Sequence, residues 1–231
     1  VDGEVGDVLV VAGAGIWTIT SDPLAHGVHS LTVSAADIAG NSSVASGSLT
    51  VTIDSLSPAA PTALDLDTAS DSGTDAFDDI TSVTTPTISG LAELNSAVEL
   101  FEGVTSLGTT TADGTTGAWS VTTTALGEGA HNLTATATDT AGNPSAASAA
   151  LTITIDSLPP AAPTALDLDA GSDTGITTDD ITSATTPTIS GTAEAGSTVK
   201  LTSDIAGIVV ATTTADGGGA WSVATSELDD G

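Results

Sequence analysis

Along this chain, apolar and polar positions alternate in short runs. In HNLTATATD (131–139), Leu133, Ala135 and Ala137 fall on one side of an extended strand and Thr134, Thr136 and Thr138 on the other. A period of two with one polar face marks a half-buried strand of an antiparallel sheet. Similar runs recur between clusters of Gly, Pro, Asp, Asn and Ser, which favour turns. Over residues 55–156 the pattern predicts seven strands, at 62–67, 85–90, 97–102, 106–112, 118–124, 131–139 and 149–156.

The pattern then repeats. Trp17, Trp119 and Trp221 follow one another at intervals of 102 residues, in GAGIWTIT, GTTGAWSV and GGGAWSV. HGVHSLTVSAADIAGNSSVASGSLTVTID ends at Asp54, and EGAHNLTATATDTAGNPSAASAALTITID ends at Asp156. PTALDLD opens at Pro61 and again at Pro163. A period near 102 exceeds the roughly 20–50 residues of a solenoid repeat and matches an independent domain. Residues 55–156 read as one complete repeat. Residues 1–54 read as the C-terminal part of an earlier one, and 157–231 as the N-terminal part of a third. Seven short strands in the complete repeat predict an all-β chain of tandem immunoglobulin-like antiparallel sandwiches. There is no cysteine pair between sheets, and the tryptophan lies on the fifth strand. The pattern alone therefore leaves a fibronectin-type sandwich open. The segments DSLSPAAP (54–61) and DSLPPAAP (156–163) are short, proline-stiffened linkers.

Composition adds charge to this picture. Thirty acids face a single base, Lys200, for a formal net charge of −29 over 231 residues. Such a surface repels nucleic acid and anionic membranes and attracts metal cations. No apolar run reaches the roughly 18 residues of a spanning helix, so direct membrane insertion is not expected. Catalytic sets are missing too: there is no Cys nucleophile and no glycine-rich phosphate loop, and the paired carboxylates sit on loops rather than in a cleft. The reading is of a non-enzyme.

The motifs TTPTISGTAEAGSTVKL (185–201), TADGGGAWSV (214–223), TATATDTAGNPSAAS (134–148) and ITIDSLPPAAP (153–163) resemble the bacterial Ig-like repeats of giant surface adhesins, including the biofilm-associated and RTX-type adhesins of Gram-negative bacteria. The resemblance covers the whole chain. It implies a β-sandwich, type I secretion, an extracellular place on the bacterial cell surface and calcium at the junctions between repeats. The ligand-binding part of such adhesins usually lies elsewhere, so these repeats would be an extender.

Strand alternation assigns the loops to ends. The acidic loop after the first strand carries Asp67, Asp71, Asp75, Asp78 and Asp79, and it shares an end with Asp156 at the close of the last strand. Glu93, Asp113 and Asp139 lie in loops at the opposite end. Stacked repeats would thus meet acid against acid. Calcium takes six to eight oxygen ligands in flexible geometry and suits such a junction better than octahedral magnesium. Zinc is disfavoured without Cys and with three scattered His. Expected ligands at the later junction are Asp156, Asp67, Asp71, Asp78 and Asp79, facing Glu194 and Asp216. At the earlier junction they are Asp54, Glu93, Asp113 and Asp139. The acidic copy at 166–180 has no complete repeat after it and is expected to be the less metal-loaded.

Each of these residues also has a plainer reading. The loop acids could simply be solvated. Asp139 in DTAGN and Asp113 in ADGTTG suit tight turns. The tryptophans are expected to be the main core side chains of their sandwiches rather than a sugar platform, and His29 and His131 to be structural. The expected partners are neighbouring repeats of the same long chain. Two further readings remain open. One is a self-assembling surface layer or filament, with other copies of the chain as partners. The other is a carbohydrate- or ice-binding module built on Thr-rich strands.

Overall fold

A computed structural model describes residues 8–9, 17–73, 75–176, 178–203 and 208–228. Gly13–Ile16 of the first tryptophan motif lie outside the described residues. Among the described residues every regular element is a β-strand. The chain forms two compact units, Val1–Ser157 and Leu158–Gly231.

In the first unit, β1 (Val8–Leu9) pairs with β2 (Thr18–Ile19), and β3 (Gly27–Leu31) with β4 (Leu49–Ile53), both antiparallel. The central sandwich follows. One sheet has the order β10 (Ala118–Thr122), β7 (Thr87–Leu91), β5 (Thr62–Leu66). The other runs β6 (Ile80–Thr81), β12 (Leu151–Ile155), β11 (Gly129–Thr138), β8 (Ala97–Glu102), β9 (Thr105–Thr111).

All seven expected strands are present, with two revisions. The first is β6, a two-residue strand that pairs in parallel with β12, Ile80 opposite Thr154 and Thr81 opposite Ile155. Two residues are too few to carry a periodic signal, so pattern could not find it. The second concerns β9, which stays beside β8, with Ala97 opposite Thr111. In a constant-type antibody domain the fourth strand lies in the sheet of the fifth instead. The strand predicted at 85–90 starts at Thr87 because Pro86 has no N–H to give to a ladder; its carbonyl accepts from the Thr123 amide at 2.9 Å.

The inward faces meet as the alternation predicts. Leu133, Ala135 and Ala137 are fully buried, and the intervening threonines are half-buried. Leu66, Ile88 and Val121 of one sheet pack on Leu100, Leu133 and Ile153 of the other, with Trp119 among them. Trp119 is 4% exposed, so it is a core residue. Its ring lies against the neighbouring strand at Gly90, its register partner. A Cβ on Gly90 would sit 2.6 Å from the ring atom Cζ2 and 3.1 Å from the Thr62 carbonyl oxygen. Gly90→Ala is therefore expected to cost about 1–3 kcal/mol through overpacking. A urea titration of the whole chain, followed by far-UV circular dichroism, checks this. An unshifted transition would contradict it.

In the second unit, β13 (Thr164–Leu168), β14 (Thr188–Thr192) and β17 (Ala220–Ala224) form one sheet, and β15 (Thr198–Thr202) and β16 (Val209–Thr214) pair separately. Trp221, Val199 and Ala215 are its buried core. The ring of Trp221 meets Gly191 as Trp119 meets Gly90. Trp17 departs from this expectation: it is 57% exposed. Around it, β1–β2 and β3–β4 are separate two-stranded sheets, and none of residues 17–54 is buried.

Both first strands carry a bulge. The register of β5 on β7 shifts between Thr62 and Asp65, where Ala63 has φ of +52°. β13 repeats it at Ala165, with φ of +50°. Bulges re-aim the residues that follow them, here Asp65 and Asp167.

Candidate functional site

The strand registers sort the loops of the central sandwich. Thr138 faces Ala97, Ala97 faces Thr111, and Ala118 faces Leu91. The loops carrying Glu93, Asp113 and Asp139 therefore share one end. Leu66 faces Ile88 and Ile155 faces Thr81, which puts residues 67–86 and Asp156 at the other.

The acidic loop is built by its own backbone. The Asp67 amide donates to Thr87 O at 2.9 Å, and Asp67 O accepts from the amides of Ser70 at 2.7 Å and Asp71 at 2.9 Å. Asp67 Oδ1 accepts from the Ala69 amide, closing the turn. The turn directs Asp71 inward. Ser70 O accepts from Thr81 Oγ1, and Ser72 Oγ accepts from the Ser82 amide at 2.7 Å. Between these stitches lie Asp78, whose Oδ1 accepts from the Ile80 amide, and Asp79, which has φ of +59°. The loop then zips onto β12: the Thr154 amide donates to Asp79 O at 2.8 Å, and the Asp156 amide to Thr81 O at 2.9 Å. Asp156 thereby joins the loop acids through the backbone.

Asp71 is 7% exposed, and its Oδ1 is buried without a hydrogen-bond partner. Asp173, its counterpart in the second unit, is 6% exposed, and its Oδ1 is also buried and unpartnered. Burial raises the pKa of Asp79 above its ordinary value, and the charges of Asp65, Asp71 and Asp78 add to the rise. Asp173 is raised in the same way by burial, then by Asp179, Asp180 and Asp167. Asp65 and Asp167 were not among the expected ligands. Their signal was available, since LDLD places each two residues before Asp67 or Asp169. These donors are all hard oxygens, and the buried free carboxylate oxygen fits a hard cation. No three acids among the described residues already converge as a ligand cage.

At the other end the carboxylates serve turns. Asp139, 9% exposed, accepts from the amides of Ala141 and Asn143 on Oδ1 and from Asn143 Nδ2 on Oδ2. Asn143 Nδ2 also donates to Asp54 O at 3.1 Å, which ties this turn to the incoming linker. Asp54 and Asp139 are thus joined through Asn143 rather than directly. In the same linker Pro58 and Pro61 are buried. Asp113 Oδ1 accepts from the amides of Thr115 and Thr116 and from Thr116 Oγ1. Glu93 is exposed, and its carbonyl caps Ser96. In the second unit, Asp216 Oδ1 accepts from the amides of Gly218 and Ala220, and Glu194 O accepts from the Ser197 amide.

His29 and His131 behave as structural residues. His29 Nε2 lies 2.8 Å from Ala25 O. His131 Nε2 lies 2.9 Å from Gly127 O, and its Nδ1 lies 2.8 Å from Glu102 Oε1. Burial disfavours the His131 imidazolium, but the Gly127 carbonyl and Glu102 outweigh it and raise its pKa.

These shifts define a pH profile. The side chain and then the amide of Asn143 hold Asp139 low, and the amide and hydroxyl of Thr116 hold Asp113 low. Their stabilisation is complete above about pH 4 and is lost as pH falls through the lowered values. Asp79 and Asp173 act oppositely: their charge is unfavourable at neutral pH and is relieved as pH falls through the raised values. The His131 contribution is complete below about pH 6.5 and is lost as pH rises through its raised value. Thermal stability without metal is therefore expected to rise from pH 8 to 5 and to fall below about pH 4. A series of calorimetric melts checks this, and a steady decline from pH 8 to 5 would contradict it.

The fold defines a class: tandem immunoglobulin-like sandwiches with acidic ends, without helix among the described residues. The chain belongs to the bacterial Ig-like domain family, whose model matches residues 1–55, 57–157 and 160–231 in succession. The solved structure of a tetra-tandem repeat from the extending region of a large adhesion protein is 24% identical to the chain, with a TM-score of 0.33. It covers 92% of this chain and 51% of that one. The BSP domain of a biofilm-associated protein is 17% identical, also at a TM-score of 0.33, and covers 61% of this chain and 21% of that one. The chain thus spans about half the length of the first and about a fifth of the second. No curated protein matches it.

Proposed function

We propose that the chain is a structural extender of a large bacterial cell-surface adhesin, active in adhesion and biofilm formation and stiffened by calcium between repeats. The observation that carries this reading is the placement of acids at both ends of one sandwich. Asp67, Asp71, Asp78, Asp79 and Asp156 stand where the chain leaves the central repeat, and Glu93, Asp113 and Asp139 where it enters. Identical sandwiches in series would bring these groups together, with Glu194 and Asp216 on the next repeat. Two carboxylates about 4 Å apart near a protein surface repel by roughly 4 kcal/mol.

When bound, calcium supplies charge neutralisation and a flexible oxygen coordination sphere. The chain's own residues do the rest. Pro58, Pro61 and the Asn143 bond to Asp54 hold the linker close to the central sandwich. Asp139 keeps Asn143 oriented for that bond. A cation that binds the aligned arrangement more tightly than the bent one shifts the population toward alignment.

Small-angle scattering of the whole chain tests this reading. The radius of gyration is expected to increase in calcium relative to chelator. Equal dimensions in the two conditions would overturn it.

A further inference from the structure

We infer that the Asp-x-x-Gly-Asn turn is a docking point by which a repeat grips the repeat before it: an asparagine amide takes the main-chain carbonyl at the end of the preceding closing strand. The contact between Asn143 and Asp54 O is one such grip. It rests on the tandem arrangement of the repeats and needs no cation, so it stands apart from stiffening by calcium.

The turn is built twice. In the central sandwich Asp139 Oδ1 accepts from the amides of Ala141 at 2.9 Å and Asn143 at 2.8 Å, and its Oδ2 accepts from Asn143 Nδ2 at 2.8 Å. One repeat earlier, Asp37 Oδ1 accepts from the amides of Ala39 at 2.9 Å and Asn41 at 2.8 Å, and its Oδ2 accepts from Asn41 Nδ2 at 2.9 Å. A side-chain amide carries two N–H groups. The aspartate takes one and thereby fixes the direction of the other. At Asn143 the second N–H reaches Asp54 O at 3.1 Å. At Asn41 the side-chain amide bonds only Asp37 among the described residues. The amide is thus oriented by its own turn, with or without an acceptor beyond it. A donor already held in place loses little freedom when it docks.

The acceptor is a backbone carbonyl, which every residue type supplies. It lies one residue past Ile53, the last paired residue of β4. Repeats that differ in side chains can therefore dock in the same way. The same peptide group is also held from behind. The Ser55 amide donates to His26 Nδ1 at 3.4 Å, so the N–H faces the repeat that the chain leaves and the carbonyl faces the repeat that it enters. His26 Nδ1 also lies 3.4 Å from Asp54 Oδ1. Unprotonated, this nitrogen accepts from Ser55; protonated, it donates to Asp54, and the linker is held in either state. The rear grip recurs 102 residues on with a different side chain: Glu128 Oε2 accepts from the Ser157 amide at 3.1 Å, and Oε1 from the Ser157 hydroxyl. The forward grip has no such latitude, because it needs two N–H groups on one short side chain.

The test is run on the whole chain in chelator. Its four asparagines are its only side-chain amides, since it has no glutamine, so a nitrogen–proton correlation spectrum resolves them. Exchange with water is expected to be about 3- to 10-fold slower for the second Asn143 amide proton than for its Asn41 counterpart. Asn143→Ala keeps the backbone bonds of the turn. It is expected to speed amide exchange at Ser55, Leu56 and Ser57 by about the same factor, whereas Asn41→Ala should leave those amides unchanged. Should Asn143→Ala fold poorly, the wild-type comparison of the two asparagines still decides. Equal exchange at the two asparagines would overturn the inference. So would linker exchange that a folded Asn143→Ala leaves unmoved, or that both variants move equally. The expected pattern in a chain whose dimensions never respond to calcium supports the grip and removes stiffening by calcium alone.

Discussion

Replacing Trp119 by alanine is expected to cost the central sandwich about 3–5 kcal/mol. Total stabilities of such domains run to roughly 5–15 kcal/mol, so much of the folded margin would go. The reason lies in how thin this core is. Of the two phenylalanines in the sandwich, Phe77 is 85% exposed and Phe101 half-buried. Trp119 is therefore its only fully buried aromatic side chain, in a core otherwise made of Leu, Ile, Val and Ala. Removing it leaves a cavity under both sheets that small neighbours cannot fill. Urea unfolding followed by circular dichroism reads the loss directly. Trp17→Ala is the matched comparison: at 57% exposure it should change stability by less than about 0.5 kcal/mol. Equal effects at the two positions would mean that Trp119 is not the centre of the core.

Gly117→Ala is expected to cost about 2–5 kcal/mol, by two additive routes. Gly117 has φ of +73°, a left-handed conformation that L-residues adopt at a cost. A Cβ there would also lie 2.4 Å from the Ala92 carbonyl oxygen, which belongs to the backbone and cannot rotate away. The Gly117 amide and carbonyl meanwhile bond Asp113 and Ala92, so the turn cannot relax without losing both. Gly219 repeats the arrangement against Ala193 O. Gly114→Ala, whose added Cβ would meet only the movable side chain of Asn95, is expected to cost less than about 1 kcal/mol. The same urea titration separates the two, and similar shifts would count against the steric argument.

Much of the fold was legible because its signals are local and repeated. Leu133, Ala135 and Ala137 alternate with threonines, and they are buried because a strand turns every second side chain to the same face. Gly-x-Trp recurs because a tryptophan must pass a neighbouring backbone at Gly90 or Gly191, and because the turn before it needs a positive φ. Other features gave no local signal. Two residues at Ile80–Thr81 show no period, so β6 could be found only through its pairing with β12. The sheet that β9 joins depends on what its hairpin packs against, not on its own residues. Asp71 looked like any other loop acid until the stitches from Thr81 and Ser82 turned it inward. Asp65 is exposed on its strand, and only the fold sets its charge beside Asp79.

By itself, the sequence determined the repeat length, the alternating strands, the tryptophan core of the central and later repeats, and the gathering of acids at loops of one end. Each follows from chemistry read over a few neighbouring residues, or from the same chemistry recurring 102 residues on. The tertiary structure alone decided which carboxylates are consumed by turns, as Asp139 and Asp113 are, and which are left buried and unsatisfied, as Asp71 and Asp173 are. That difference depends on which amides reach a carboxylate and how much water is excluded from it, and strands distant in the chain set both.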